Sequence, residues 1–412
     1  MKNNSRRKLV YVNLIGTTQI HLRHPLIIAW WSAAFPGFGH LLLSKYLRGF
    51  LLFGWELLIN TKAHINMAMI YTFTGQFDKA ADILDIRWMS LYAPVYLYAI
   101  YDSYRTTVDL NHVHVLAKRE NTDFDSFAIG SLEINYLDKR SPRMAFLWSL
   151  LMPGMGQLFI HRLTTAFFVL AGWIALCYQS HFLEGLQYTL LGQFTKAKDV
   201  VNFNFLLYLP SIYGFALYDA YVNTVENNKF FDYEQKKYLT KNFQIPTFNF
   251  PRTQPNQEEG EFMHVVSSFD HTIYLELAIT ALVEEGIPKE DIFAVPLDKK
   301  KEKRKMFDTI HASDGISLFD SGIALGTALA VIGSSYGFII VGGPILWGVI
   351  GALAGFLIGF IIDIFYKAEK TNNPRVGKST EVFVIVNCSK HQVSMVEDIL
   401  WTHFAFGVSH VT

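Results

Sequence analysis

Charge is scarce in this chain of 412 residues: Asp, Glu, Lys and Arg make up only 17%, where a soluble domain carries about a quarter. The formal net charge is zero, which excludes a broad electrostatic hold on nucleic acid or another polyanion. Cysteine is nearly absent. Cys177 lies in an apolar run and Cys388 ends a strand-like segment. Neither belongs to a CxxC pair, so both read as packed thiols with no disulfide framework. The chain lacks G-x-S-x-G, a P-loop, HExxH and a dinucleotide fingerprint, and no enzymatic activity is expected. The 14 histidines are scattered. His112-x-His114 is the closest pair, and without a third ligand at metal spacing it reads as a solvated loop. No metal or cofactor is therefore expected, and no small-molecule ligand is identified. The start, MKNNSRRKLVYVNLIG, has a short apolar run broken by Asn13, unlike a secretory signal peptide. The first spanning helix should insert the protein.

What the chain has instead is apolar bulk. Hydrophobic residues make up 51%, with 34 Phe and 20 Tyr, and this predicts a multi-pass α-helical membrane protein. A large part of it is duplicated. Pro36-Gly37-Phe38-Gly39-His40 returns as Pro153-Gly154-Met155-Gly156-Gln157, Gly75-Gln76-Phe77 as Gly192-Gln193-Phe194, and Tyr101-Asp102-Ser103-Tyr104 as Tyr218-Asp219-Ala220-Tyr221. The offset is 117 residues each time, without gaps, and about a quarter of positions from His24 to Asn111 are identical to their counterparts. Each copy should hold three apolar helices, at roughly 26–44, 48–70 and 88–108 and again at 143–161, 165–187 and 203–224. The outer two are long enough to span, whereas the middle one could span or turn back. The amphipathic stretches GQFDKAADILDI and GQFTKAKDVVNF should lie in the headgroup layer.

Within the first helix of each copy, Pro36, Gly37 and Gly39, and Pro153, Gly154 and Gly156, should kink or break the helix. This is either a tight-packing turn or a substrate-contacting break. Asp102 and Asp219 fall inside the third helices, and an intramembrane carboxylate needs a partner. Lys45 and Arg162, at matching positions, are the candidate cations. The pairs could fix helix packing, or could line an ion or proton path.

The PGxG-[His/Gln] segment, the basic residue soon after it (Lys45, Arg162), a small residue (Gly49, Ala166) and the later aspartate resemble the two-transmembrane-helix domain family. The resemblance covers about 90 residues twice. Here leucines replace the family's aromatic pair in the first copy, and a third helix is present. The resemblance implies a membrane module and no particular activity.

After a polar stretch, 229–261, the pattern becomes β-α-β-β-α-β: strands at 262–269, 292–298, 381–388 and 407–411, with helices at 272–286 and 393–405. That order predicts a ferredoxin-like α+β domain. A transmembrane hairpin, about 318–340 and 345–366, interrupts it between the second and third strands. The hairpin carries Gly322, Gly326, Gly333, Gly337, Gly351, Gly355 and Gly359 at four-residue spacing. Such a glycine zipper closes the hairpin on itself or joins protomers. Basic residues flank the hairpin (DKKKEKRK at 298–305, then Lys367 and Lys370), which puts this domain in the cytoplasm, and Arg6-Arg7-Lys8 suggests a cytoplasmic start. Three spans per copy would invert the second copy, and two would leave the copies parallel. The SLFDSG…ALGTALA…YGF…GPILWGVIG pattern resembles bacterial general-stress-type proteins, a resemblance that implies a bacterial origin.

The expected organisation is a cytoplasmic segment (1–23), membrane repeat 1 (24–111), a connector (112–140), membrane repeat 2 (141–228), a linker (229–261), a split α+β domain (262–299 and 380–412) and the flanked hairpin (300–379). The expected role is a non-enzymatic protein of the cytoplasmic membrane, both termini cytoplasmic, with membrane lipid and further copies of itself as partners. It would form a homo-oligomeric assembly or scaffold. The alternative is a channel or transporter gated by the cytoplasmic domain.

Overall fold

The computed structural model describes residues 6–120, 124–244, 248, 262–297, 320–368 and 381–411. The chain divides into two compact units. A helical unit comprises 1–136, 140–226 and 305–371, and a sheet unit comprises 137–139, 227–304 and 372–412.

The 117-residue offset recurs in the backbone of the helical unit. Strands β1 (Val10–Asn13) and β2 (Gly16–Gln19) form an antiparallel hairpin with Val10 opposite Gln19. Strands β3 (Phe127–Ile129) and β4 (Ile134–Tyr136) repeat it in the same register, Phe127 opposite Tyr136. The duplicated unit is thus longer than 24–111. The first copy continues as α1 (Pro25–Ala34), α2 (Phe38–Leu42), α3 (Tyr46–Ala63), α4 (Ile65–Phe73), α5 (Phe77–Ile83) and α6 (Ile86–Glu120). The second has α7 (Pro142–Leu151), α8 (Met155–Phe159), α9 (Leu163–Ser180), α10 (Phe182–Leu190), α11 (Phe194–Val200), α12 (Phe203–Leu206) and α13 (Leu209–Phe243). Even the left-handed residues match: Gly37 with Gly154, Ser44 with His161, His64 with His181, and Gly75 with Gly192.

Local chemistry sets these boundaries. Pro25 and Pro142 open their helices, where a missing N–H costs nothing. Pro36 and Pro153 force the residue before them out of the helical region, so Phe35 (φ −160°) and Met152 (φ −155°) are extended and α1 and α7 stop. The chain then re-enters a helix through Gly37 (φ 106°) and Gly154 (φ 100°), a conformation that a Cβ would oppose. The first apolar helix of each copy is therefore two pieces, of 10 and 5 residues. Ten residues rise about 15 Å, half the hydrocarbon thickness, so the expected break divides 26–44 and 143–161 into pieces that are each too short to span alone. The middle helices turn at His64 and His181, both left-handed. Among the described residues three helical stretches are long and apolar enough to cross a membrane: Leu163–Ser180, Phe203–Phe243 and Gly343–Asp363.

One aromatic core joins the two copies. Trp31 meets Phe215 and Tyr218 at ring-centroid distances of 5.9 and 5.3 Å. Phe35 meets Tyr208 at 5.5 Å, Phe38 stacks on Phe215 at 4.2 Å, and Phe50 and Phe53 meet Phe168 at 4.4 and 4.7 Å. The hairpin helices α15 (Asp320–Gly337) and α16 (Gly343–Ala368) pack along their length in the same unit.

The sheet unit has strands β5 (Phe262–Phe269), β6 (Ile292–Pro296), β7 (Val382–Ser389) and β8 (Gly407–Val411), with helices α14 (Ile273–Glu284) and α17 (Val393–Thr402). The sheet order is β6-β7-β5-β8 and every neighbouring pair is antiparallel. Val382, Val384, Val386 and Cys388, alternate residues of β7, share a buried core with Leu275, Ile279 and Leu282 of α14 and Val396 and Leu400 of α17. Pro296, the last residue of β6, is paired with Val382, the first of β7. The long insertion therefore leaves and re-enters the sheet at neighbouring points.

Three expectations need correction. The stretch 229–261 does not begin as a linker, because α13 runs unbroken to Phe243. No Pro or Gly interrupts it after Gly214, and Leu239 and Phe243, one turn apart, are buried in the sheet unit's core. Similarly, α6 continues to Glu120 through the expected connector. His112 and His114 consequently lie on a helix, and the His114 ring is hydrogen-bonded to the Ile20 carbonyl at 2.8 Å. The basic run 298–305 and Lys370 lie outside the described residues.

Candidate functional site

Polar side chains inside the helical unit gather around the two repeated aspartates. In the second copy Asp219 is fully buried beside Arg162, itself 3% exposed. Arg162 Nη1 donates to Asp219 Oδ1 at 2.8 Å, Asn223 Nδ2 donates to the same oxygen at 2.8 Å, and Gln157 Nε2 donates to Oδ2 at 3.2 Å. Arg162 is the residue just before α9, and Gln157 ends the PGxG-Gln segment. Thus the break in the first helix and the start of the second are both aimed at the aspartate of the third. Arg23 reaches Asn223 Oδ1 through Nη2 at 3.3 Å, which extends the network to the N-terminal segment.

The first copy solves the same problem differently. Asp102 Oδ2 lies 2.8 Å from Arg48 Nη1 and 3.0 Å from His40 Nε2. His40 is the counterpart of Gln157. The cation, however, is Arg48, three residues beyond Lys45, which matches Arg162 in sequence and caps α3. The pairing of Asp102 with Lys45 is replaced by one with Arg48: Lys45 is the cap, outside the helix proper, whereas Arg48 lies in the first turn of α3 and reaches the carboxylate. This pair is more open, with Arg48 half exposed. A third carboxylate, Glu56, lies in α3. It is buried, and Asn60 Nδ2 donates to it at 2.8 Å. Asn60 also contacts Asn66, whose amide donates to the Asn204 carbonyl at 2.7 Å, across the two copies. Its counterpart is Trp173, so the repeat gave no signal for it.

The glycines of the PGxG segments are spent on close packing. A Cβ on Gly37 would fall on the Gly49 carbonyl, and one on Gly154 would lie 2.9 Å from the Ala166 carbonyl. At Gly39 and Gly156 it would strike Ser32 and Ser149. The hairpin stripe is likewise used within the chain. Cβ atoms on Gly351, Gly355 and Gly359 would fall on the carbonyls of Leu329, Leu325 and Ser321, and one on Gly333 on that of Trp347. A Cβ added at Gly337 would lie 2.6 Å from Gly343 and Pro344, one at Gly326 3.1 Å from the Ala352 carbonyl, and one at Gly322 3.3 Å from Phe356. At the open end of the hairpin, Ser321 Oγ donates to Asp363 at 3.0 Å.

A separate polar cluster lies in the sheet unit. Lys139 Nζ is 3.2 Å from Asp232, 3.2 Å from Asp270 and 3.4 Å from Glu381. Glu381 also accepts the His271 N–H at 2.9 Å. Burial opposes the ammonium charge, but the carboxylates of Asp232, Glu381 and Asp270 outweigh it and hold Lys139 above the usual lysine range. Burial and the shared position with Glu381 push the Asp270 carboxyl up to about 6, against the pull of Lys139. No sequence motif marked this cluster, since its members are scattered over four segments. Both thiols, Cys177 and Cys388, are buried and unpaired. Among the described residues no group of three or more His, Cys, Asp or Glu is placed to hold a metal ion.

Comparison with protein-family models, curated proteins and solved structures found no match for this chain. The resemblances drawn from its motifs therefore rest on the residues quoted for them.

Proposed function

We propose that the chain is a non-enzymatic integral membrane protein of the cytoplasmic membrane, with both termini cytoplasmic, that self-associates into a membrane assembly. On this reading the PGxG copies are duplicated membrane modules, the hairpin spans the bilayer, and the sheet unit is a cytoplasmic ferredoxin-like domain. The β-α-β-β-α-β order with the third strand between the first two supports that last assignment.

The observation that carries the membrane part of the reading is the inverted distribution of polarity in the helical unit. Val349, Ile350, Leu353, Leu357, Ile358 and Ile361 of α16 are exposed, whereas Asp219, Arg162, Gln157 and Asn223 are buried and bonded to one another. Water does not tolerate a contiguous apolar exterior of that kind, and hydrocarbon demands the paired interior. Against the transporter alternative, Asp219 is surrounded by its own partners and the PGxG breaks are filled by backbone from the next helix. The glycine stripe lends no support to self-association, because it is consumed inside the hairpin.

The test is membrane extraction followed by mass measurement in nanodiscs. Release by carbonate would overturn membrane integration, and a stable monomer would overturn assembly. Flux through reconstituted protein that is lost in Asp219→Asn, with folding retained, would favour the transporter.

A further inference from the structure

The two copies meet through non-equivalent faces, and this leaves one of each face open. The first copy contributes Trp31, Phe35, Phe38, Phe50 and Phe53. The second contributes Phe168, Tyr208, Phe215 and Tyr218. Were the copies related by a closed twofold, the counterparts would meet as well, and all would be buried. They do not. On the first copy the counterparts of the covered residues are Leu51, Leu91, Tyr98 and Tyr101, and all are exposed. Tyr101 is 65% exposed where Tyr218 is 5%. On the second copy, Trp148 and Phe167 match Trp31 and Phe50. Trp148 is 42% exposed where Trp31 is 1%.

We propose that a second copy of this chain covers these faces head to tail: the α7–α9 face of one protomer, centred on Trp148 and Phe167, seats on the α3–α6 face of the next, centred on Leu51, Tyr98 and Tyr101. The contact repeats between chains the one that already joins the copies within a chain. Charge separates this occupant from lipid. Asp219 lies sealed beneath the internal contact, but its counterpart Asp102 and the half-exposed Arg48 sit at the edge of the open face. An ion pair left against hydrocarbon is costly, and a covering protomer would enclose it as the internal contact encloses Asp219. Because the two faces differ, the contact is heterologous. It generates a ring if its rotation closes and a filament if it does not. The inference rests on the self-association reading and specifies its geometry.

The test is cross-linking in membranes of differently tagged full-length chains, Trp148→Cys co-expressed with Tyr101→Cys, using a short bismaleimide. The native thiols are buried, and wild type sets the background. The expected result is a mixed-tag dimer in the co-expressed pair and none with either variant alone. The pair Phe167→Cys with Leu51→Cys serves as a second register, should either first variant unfold. Like-with-like cross-links through Trp148→Cys would overturn the head-to-tail arrangement. An oligomer in nanodiscs that cross-links at neither pair would overturn this contact while leaving self-association standing. A monomer in nanodiscs would overturn both.

Discussion

Replacing Gly355 by alanine adds one methyl group at a point where two backbones touch. In α16 that carbon would fall on the Leu325 carbonyl of α15, with the Leu325 carbonyl carbon at 2.6 Å and the Gly326 nitrogen at 2.8 Å. Neither neighbour is a side chain that can swing away, so the helices must separate along the whole stripe. Two effects oppose each other. Alanine is favoured over glycine in a helix interior by about 0.5–1 kcal/mol. Overpacking costs about 1–3 kcal/mol, with the upper end appropriate where only backbone can yield. The expected net loss is about 2 kcal/mol, or roughly 3 °C in Tm for a unit of this size. Gly54 in α3 is the internal control, since a Cβ there meets nothing within 4 Å. Gly54→Ala should therefore keep the helix gain alone and raise stability by up to about 1 kcal/mol. Thermal unfolding of both variants in one detergent, followed by circular dichroism, reads the two signs together. If Gly355→Ala unfolds at or above wild type, the stripe does not close the hairpin. Its glycines would then be available to join protomers.

Asp219→Ala strands a buried Arg162 and should cost about 3–5 kcal/mol, whereas Asp102→Ala leaves the half-exposed Arg48 less confined but unpartners the buried His40, and should cost less, about 1–3 kcal/mol; denaturation midpoints of the two variants compare them directly. Gly154→Ala combines a left-handed residue with a Cβ that lies against the Ala166 carbonyl, and should lose about 2 kcal/mol or more, read as a lower Tm. In the sheet unit the Asp270 carboxyl is raised to about 6, so its contribution to stability is present below pH 4 and is lost as pH rises through 6. Asp270→Asn should consequently gain on wild type between pH 4 and pH 7, measured by hydrogen exchange of the β5 and β7 amides. An equal difference at both pH values would refute that assignment.

Periodicity and repetition carried much of the fold. The alternation of β5 and β7, the helical spacing of α14 and α17 and the offset of 117 residues were all legible, because each is a local pattern repeated. The helix breaks at Pro36 and Pro153 were legible for the same reason, as proline and glycine act on their own backbone. The polar stretch after Glu226 misled, since helix formation there depends on Leu239 and Phe243 finding a core supplied by strands far along the chain. The partner of Asp219 was readable from spacing, but that of Asp102 was not. Lys45 and Arg48 are one turn apart and share one side of the helix, so spacing alone does not choose between them. Glu56 and the Lys139 cluster had no repeat or motif to expose them, because tertiary contact creates both sites.

The pairing of Pro296 with Val382 has a consequence for biogenesis. Strand β7 is the central partner of both β5 and β6, and without it those two have no neighbour in common. It is synthesised only after the whole hairpin. The sheet unit thus cannot close while the glycine-rich helices are still being made, and its first two strands must wait with their edges open. Closure of the sheet becomes a report that the hairpin has been made, and a chain stalled before β7 would leave a half-built domain for proteases to find.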